Sequence, residues 1–272
     1  MDTNSIRREI KFNAKRRLFS YLMPCIGVAL VGSVITTLFS MILTMQMPDV
    51  ETLLQAEDLT VYWPMVGKIQ GLSLAFSLLI SPLTMGSYAF FMEVSADKRP
   101  AFTSVFAWLG EGKRLAAAYK ANLWYLVIAL KYMVIYCLPG GLALGLVLWR
   151  METLSVGLAL GLYFLALLAF LSGVIVAFAR VNAYLPAMYM VAADPTLAVR
   201  KTFDFCGQVM KPHVWEFFWF RLSFLGWEIL AALTFGLSVL FVTPYENLAF
   251  AGWTRHIKAL AFQALSREGE RL

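Results

Sequence analysis

Four ionisable side chains, Lys131, Arg221, Glu228 and Glu246, lie inside long apolar runs of this 272-residue chain. An ionised group at membrane depth is costly, so it normally faces the bundle interior and finds a partner. Counting helical turns places Lys131, Glu228 and Glu246 at similar depth, which predicts that Lys131 pairs with Glu228 or Glu246. Such a pair serves either as a static bridge that fixes helix register or as part of a polar cavity or ion path. Arg221 has a second option, because its long stem can carry the guanidinium to the cytoplasmic edge beside Glu216. The other reactive residue types form no recognisable site. His213 and His256 are the only histidines and lack HExxH or any metal-ligand spacing. No GxSxG elbow, P-loop or GxGxxG occurs. Cys25, Cys137 and Cys206 are odd in number and irregular in spacing, so they read as small apolar side chains, neither a disulfide framework nor a metal cluster. These observations imply no enzyme, no metal and no cofactor.

The elements that carry these residues are membrane helices. Hydrophobic residues make up 60% of the chain and charged residues 15%, against about 45–50% and about 25% in soluble domains; mean hydropathy is +0.69. The excess is gathered into runs near or above the roughly 20 residues that span a bilayer. The fold expected is all-α, a polytopic bundle of six transmembrane helices at 18–45, 66–92, 118–149, 155–191, 213–233 and 237–258. The first run, 18–47, is too long for a signal peptide and no small-residue cleavage site follows, so it reads as a retained span. Kinks are expected at Ser81-Pro82 and Ser172-Gly173 and an interruption at Leu138-Pro139-Gly140-Gly141, with a tight turn at Thr234-Phe235-Gly236. The Gly141/Gly145 and Gly157/Gly161 spacings suggest close helix packing inside the monomer. Trp63, Trp149, Trp215, Trp219, Trp227 and Trp253 fall near span ends and read as interfacial belts.

Three amphipathic surface helices complete the scheme, at 4–17, 101–110 and 195–210. In the first, Ile6, Ile10, Ala14 and Leu18 form a stripe, and Arg7, Arg8, Lys11, Lys15, Arg16 and Arg17 fill the other faces, as suits an anionic leaflet. In the second, Phe102, Val105, Phe106 and Leu109 share a face; in the third, opened by an Asp194 cap and Pro195, Val199, Phe203, Cys206 and Met210 do. The domains follow: 1–17 an amphipathic cytoplasmic helix, 18–262 the membrane domain, 263–272 a polar cytoplasmic tail. Lys and Arg concentrate on one side of this arrangement. Lys98, Arg99, Lys113, Arg114 and Lys120, then Arg180, Arg200, Lys201 and Lys211, then Arg255, Lys258, Arg267 and Arg271 join the N-terminal cluster, whereas the outer side keeps Lys68 and Arg150. By the positive-inside rule both termini are cytoplasmic in a cell membrane. Cations set beside membrane segments argue against nucleic acid as a partner.

The last third carries a combination of short motifs: Ala193-Asp194-Pro195, Gln208-Val209-Met210-Lys211, Leu222-Ser223-Phe224-Leu225-Gly226-Trp227, Leu233-Thr234-Phe235-Gly236 and Pro244-Tyr245, with Pro82-Leu83 and Gly86 upstream. In these the chain resembles a bacterial integral-membrane family known as domain of unknown function 975. It departs from the family pattern at Leu171-Ser172-Gly173, where Ile-Pro-Gly is usual, at Trp253 or its neighbours, where a Tyr is usual, and over 118–171, which is longer. The family is distantly similar to membrane domains fused to some glycerophosphodiester phosphodiesterases. That resemblance implies an embedded helical domain and carries no catalysis over.

Two function classes follow. One is a non-enzymatic membrane protein that scaffolds partners or organises or senses lipid, with membrane lipids and other membrane proteins as partners; the other is a small-solute or lipid transporter using broken helices and intramembrane charge. A polar cavity lined by Lys131, Glu228 or Glu246 favours transport, a packed interior the scaffold. No feature fixes an oligomeric state.

Overall fold

The computed structural model describes residues 3–47, 62–150, 153, 155–234, 236 and 238–269, and the regular structure among them is helical. In chain order these are α1 (Thr3–Ser20), α2 (Leu22–Thr44), α3 (Trp63–Ser95), a 3-10 segment Phe102–Phe106, α4 (Ala107–Gly110), α5 (Gly112–Trp149), α6 (Val156–Asn182), α7 (Leu185–Ala193), α8 (Val199–Met210), a 3-10 segment Lys211–His213, α9 (Val214–Leu222), α10 (Leu225–Leu233) and α11 (Val239–Gly269). The connection between the first two of the expected spans lies mostly outside the described residues, as does Arg271 in the tail.

Four stretches among the described residues are long and apolar enough to cross a membrane: α2, α3, α5 and Val156–Ala193. The expectation of six spans is corrected on two counts. The fifth run is divided into α9 and α10, each of 9 residues, or about 14 Å at 1.5 Å per residue against a hydrocarbon core of about 30 Å. The sixth becomes the 31-residue α11, whose apolar start is diluted by Pro244, Glu246 and Asn247 and whose second half carries Arg255, His256 and Lys258. Two of the four have little protein around them. The most apolar window of α2 is 11% buried and that of α5 is 6% buried. In water such helices would expose far more contiguous apolar surface than soluble proteins tolerate; they need lipid around them.

The described chain forms two compact units. The first comprises Met1–Glu9, Lys120–Gly226 and Trp253–Leu272. Its core is aromatic: the Trp253 ring lies 5.5 Å from Phe217 and 5.0 Å from Phe220, centre to centre, and Phe220 meets Phe224 edge-on at 5.4 Å. Around them α7 is buried from Leu185 to Ala192. The stretch past Arg180 turns at Ala183–Tyr184, resumes as α7 at Leu185 with Pro186 in its first turn and packs into this core. Trp253 is likewise a core residue and leaves the belt, whereas Trp63, Trp149, Trp215, Trp219 and Trp227 are exposed.

Within that unit α5 and α6 touch backbone to backbone. A Cβ at Gly173 would sit 2.1 Å from the Tyr136 carbonyl oxygen, and one at Gly140 2.6 Å from Phe170 Cα. The expected glycine pairs do not make this contact, since Gly145, Gly157 and Gly161 face open space. The expected interruption at 138–141 is also absent: α5 runs unbroken through Pro139. A membrane helix tolerates the lost backbone bond at a proline, and here the glycines after it admit a neighbour. α8 begins at Val199, four residues later than expected. Asp194 does not cap it. Its carboxylate accepts from the Thr196 N–H at 3.0 Å and hydroxyl at 2.6 Å, bonds that hold it below its usual pKa. The shared face of Phe203, Cys206 and Met210 is buried in protein, and burial pushes the Cys206 thiol up to about 12, so that it is an inert packing residue.

The second unit comprises Ile10–Tyr119 and Trp227–Gly252. α3 supplies its core through Met85, Phe90, Phe91 and Val94, closed by Val105, Trp108 and Ala118. Gly86 permits this closure, because a Cβ there would lie 2.1 Å from the Val105 carbonyl oxygen. Val105 and Trp108 point inward, leaving Phe102, Phe106 and Leu109 exposed, so only part of the expected 101–110 stripe remains for lipid. Pro82 does not break α3; the adjacent Ser81 hydroxyl donates to Ala118 O at 2.9 Å. In α1 the expected stripe is real but faces protein: Ala14 and Leu18 are buried, and Ile10 Cγ2 would be 3.2 Å from a Cβ at Gly252. Arg17 grips Asp97 with both nitrogens, at 2.9 and 2.8 Å, and the Tyr21 hydroxyl donates to Pro100 O at 2.7 Å. Asp97 itself has φ 61 and ends α3 in the left-handed conformation usually given to glycine.

Candidate functional site

The structure distributes the expected intramembrane charges differently from one another. Lys131, on α5, is exposed, with its ammonium 5.6 Å from the Tyr132 ring centre. It belongs to the first unit. Glu228, on α10 and exposed, and Glu246, on α11 and half-buried, belong to the second. Arg221, at the end of α9, has a partner that hydropathy alone did not indicate. Its Nη1 donates to Asn182 Oδ1, and the guanidinium lies 5.4 Å from the Phe178 ring centre. Asn182 is only 4% exposed, and its Nδ2 donates to Phe178 O at 2.7 Å. The cation is thus met by an amide dipole and an aromatic face. Glu216, the other residue considered for Arg221, is hydrogen-bonded to His213 Nδ1 at 2.8 Å. The signal for Asn182 in the sequence is one amide closing an otherwise oily helix.

A second polar contact nearby was also not anticipated. The Tyr132 and Tyr184 hydroxyls are 3.3 Å apart, and Gly207 leaves room for the Tyr184 ring, since a Cβ there would be 2.8 Å from the phenol oxygen. Among the described residues no group of three or more His, Cys, Asp or Glu is placed to hold a metal ion.

The basic residues of α1 divide by face. Arg8, Lys15 and Arg16 are exposed, while Arg7, Lys11 and Arg17 are half-buried. Lys15 overlooks a groove of about 200 Å³ in the second unit, between α1 and the α10–α11 hairpin. Leu18, Phe19, Phe241 and Val242 form its oily walls, and Trp227 and Tyr245 meet edge-on at 6.4 Å on one side. One ammonium at the rim of an apolar, aromatic-walled groove is chemically complementary to an amphiphile with an anionic head. The hairpin turns at Gly236, whose φ of +85 closes α10 by donating to Ala231 O at 2.9 Å.

No curated protein and no solved structure matches the chain. A family model does, over residues 1–261, so the match takes in α1, the four apolar spans and the basic, aromatic C-terminal third together: the chain belongs to the family described as protein of unknown function (DUF975).

Proposed function

We propose that the protein is a non-enzymatic membrane component that holds anionic lipid along its cytoplasmic face. The observation that carries this reading is the Lys15 groove, where a single cation caps walls of Leu18, Phe19, Phe241 and Val242. None of Lys131, Glu228 and Glu246 lines it, which favours lipid organisation over passage of a polar solute. Four crossings return the chain to the side from which it started, and the exposed cations of α1 then share the cytoplasmic face with Arg255 and Lys258 on α11. Each exposed cation adds about 1 kcal/mol of attraction to an anionic leaflet.

The test is the lipid that stays with the protein through mild detergent extraction. Phospholipid retained by the wild type is expected to be enriched in anionic species over the bulk membrane, and a variant carrying Arg8→Gln, Lys15→Gln and Arg16→Gln is expected to lose most of that enrichment. Retained lipid of bulk composition contradicts the reading. In proteoliposomes, accelerated bleaching of a fluorescent inner-leaflet lipid by dithionite would replace it with lipid transport.

A further inference from the structure

The first unit carries a second basic groove, of about 310 Å³, formed where α8 lies beside the start of the α5 span and lined by Lys120, Leu123, Trp124, Val127, Val199 and Arg200. Its chemistry changes along one direction. Lys120, Trp124 and Val127 are spaced i, i+4, i+7 and so share one face of α5. The Arg200 guanidinium, reaching across from α8, lies 5.7 Å from the Trp124 ring centre. Two cations and an indole therefore stand at one end. At the other the α5 face continues as Leu123, Val127, Leu130 and Val134, which are 47%, 54%, 65% and 48% exposed. From Leu123 to Val134 that oily track is about 17 Å long at 1.5 Å per residue, close to half of a hydrocarbon core of about 30 Å, which is one leaflet.

The geometry points to a binding site for one anionic phospholipid of the cytoplasmic leaflet, its phosphate between Lys120 and Arg200, its glycerol region against Trp124 and an acyl chain along Leu123, Val127, Leu130 and Val134. The inference rests on the lipid-holding reading above and deepens it by naming a site and a ligand class. Charge complementarity selects the headgroup: two side-chain cations converge here, and a carboxylate beside them, Asp204, holds Arg200 at no closer than 4.0 Å in a pair exposed on both sides. Such a pair is worth little in solvent, so a phosphate displaces it at small cost. The exposed oily track selects a membrane lipid over a free phosphate.

The experiment is native mass spectrometry of the full chain in detergent, titrated with phosphatidylglycerol or phosphatidylcholine. The wild type is expected to prefer phosphatidylglycerol. Lys120→Gln with Arg200→Gln is expected to weaken phosphatidylglycerol binding roughly tenfold or more, the scale of two interfacial cations, and to leave phosphatidylcholine binding unchanged. The charge-keeping pair Lys120→Arg with Arg200→Lys is expected to retain the preference, and Asp204→Asn to strengthen it. Excess inorganic phosphate is expected not to displace the lipid. A folded Gln variant that keeps the wild-type preference overturns this site while leaving the lipid-holding reading standing, and a wild type without preference overturns both. Equal loss in the Gln and charge-keeping variants overturns the assignment of charge, and displacement by phosphate makes the site one for free phosphate.

Discussion

Gly173 has no good replacement in α6. Any side chain there runs into the Tyr136 carbonyl at 2.1 Å, and backbone cannot move aside as a flexible side chain can. Gly173→Ala is expected to destabilise the folded protein in detergent by about 1–3 kcal/mol, whereas Gly145→Ala, which meets open space, is expected to be neutral or to gain up to about 1 kcal/mol of helix propensity. Comparing denaturant midpoints checks this, and equal effects at the two positions would contradict it. The sequence shows which residues are small enough for helices to touch. It does not show which of them is rotated toward the neighbour, and so the spacing pointed to Gly141, Gly145, Gly157 and Gly161, of which only Gly141 comes near the Phe170 ring, while the backbone contacts fell at Gly140 and Gly173. The same holds for Arg221: a charge inside an oily run was legible, its amide partner Asn182 was not, because the two are joined only by the fold. His256 gives a pH test. Burial, followed by the neighbouring charge of His213, holds it below its ordinary value of 6.5, with Glu9 and Glu216 pulling the other way. The unfolded chain then takes up the proton more readily, so stability is full above about 6.5 and falls as pH drops through and below that value. Unfolding midpoints measured from pH 7.5 downward should show this slope, flattened in His256→Gln; an unchanged slope in that variant assigns it elsewhere.

Helix α1 shows how an element can be read correctly and placed differently. Its apolar stripe and basic faces are plain in the sequence, but a stripe four residues apart fits a lipid surface and a protein surface equally well. Ala14 and Leu18 took the protein, and the cations that remain outward are Arg8, Lys15 and Arg16. The element is pinned at its far end by Arg17 on Asp97 and by the Tyr21 hydroxyl on Pro100. Asp97→Asn removes the charge while keeping a residue that tolerates φ 61. Since Asp97 is largely exposed, the expected cost is at most about 1 kcal/mol, with faster amide hydrogen exchange over 17–21 and 97–99. Exchange unchanged there would mean that the stripe alone holds α1. The fifth run illustrates a related limit. Summed hydropathy registers the oily composition of 213–233 but not the turn at Ser223–Phe224 that divides it into two short helices.

At the scale of the molecule, composition alone gave the helical class and the need for lipid. Four long stretches meet that need, with windows as little as 6% buried, and the division of 213–233 into α9 and α10 together with the polar second half of α11 accounts for why the count is lower than a tally of oily runs. The basic surfaces that frame both grooves depend on one statement, that the ends of the chain share the cytoplasmic face. The direct measurement is accessibility to a membrane-impermeant maleimide in intact cells, using a variant with Cys25, Cys137 and Cys206 replaced by Ala and a single new cysteine at Ser155→Cys or Phe262→Cys, both exposed positions. Ser155→Cys is expected to be labelled from outside and Phe262→Cys only after the membrane is opened; labelling of Phe262→Cys in intact cells would place the end of α11 outside and contradict a shared cytoplasmic face.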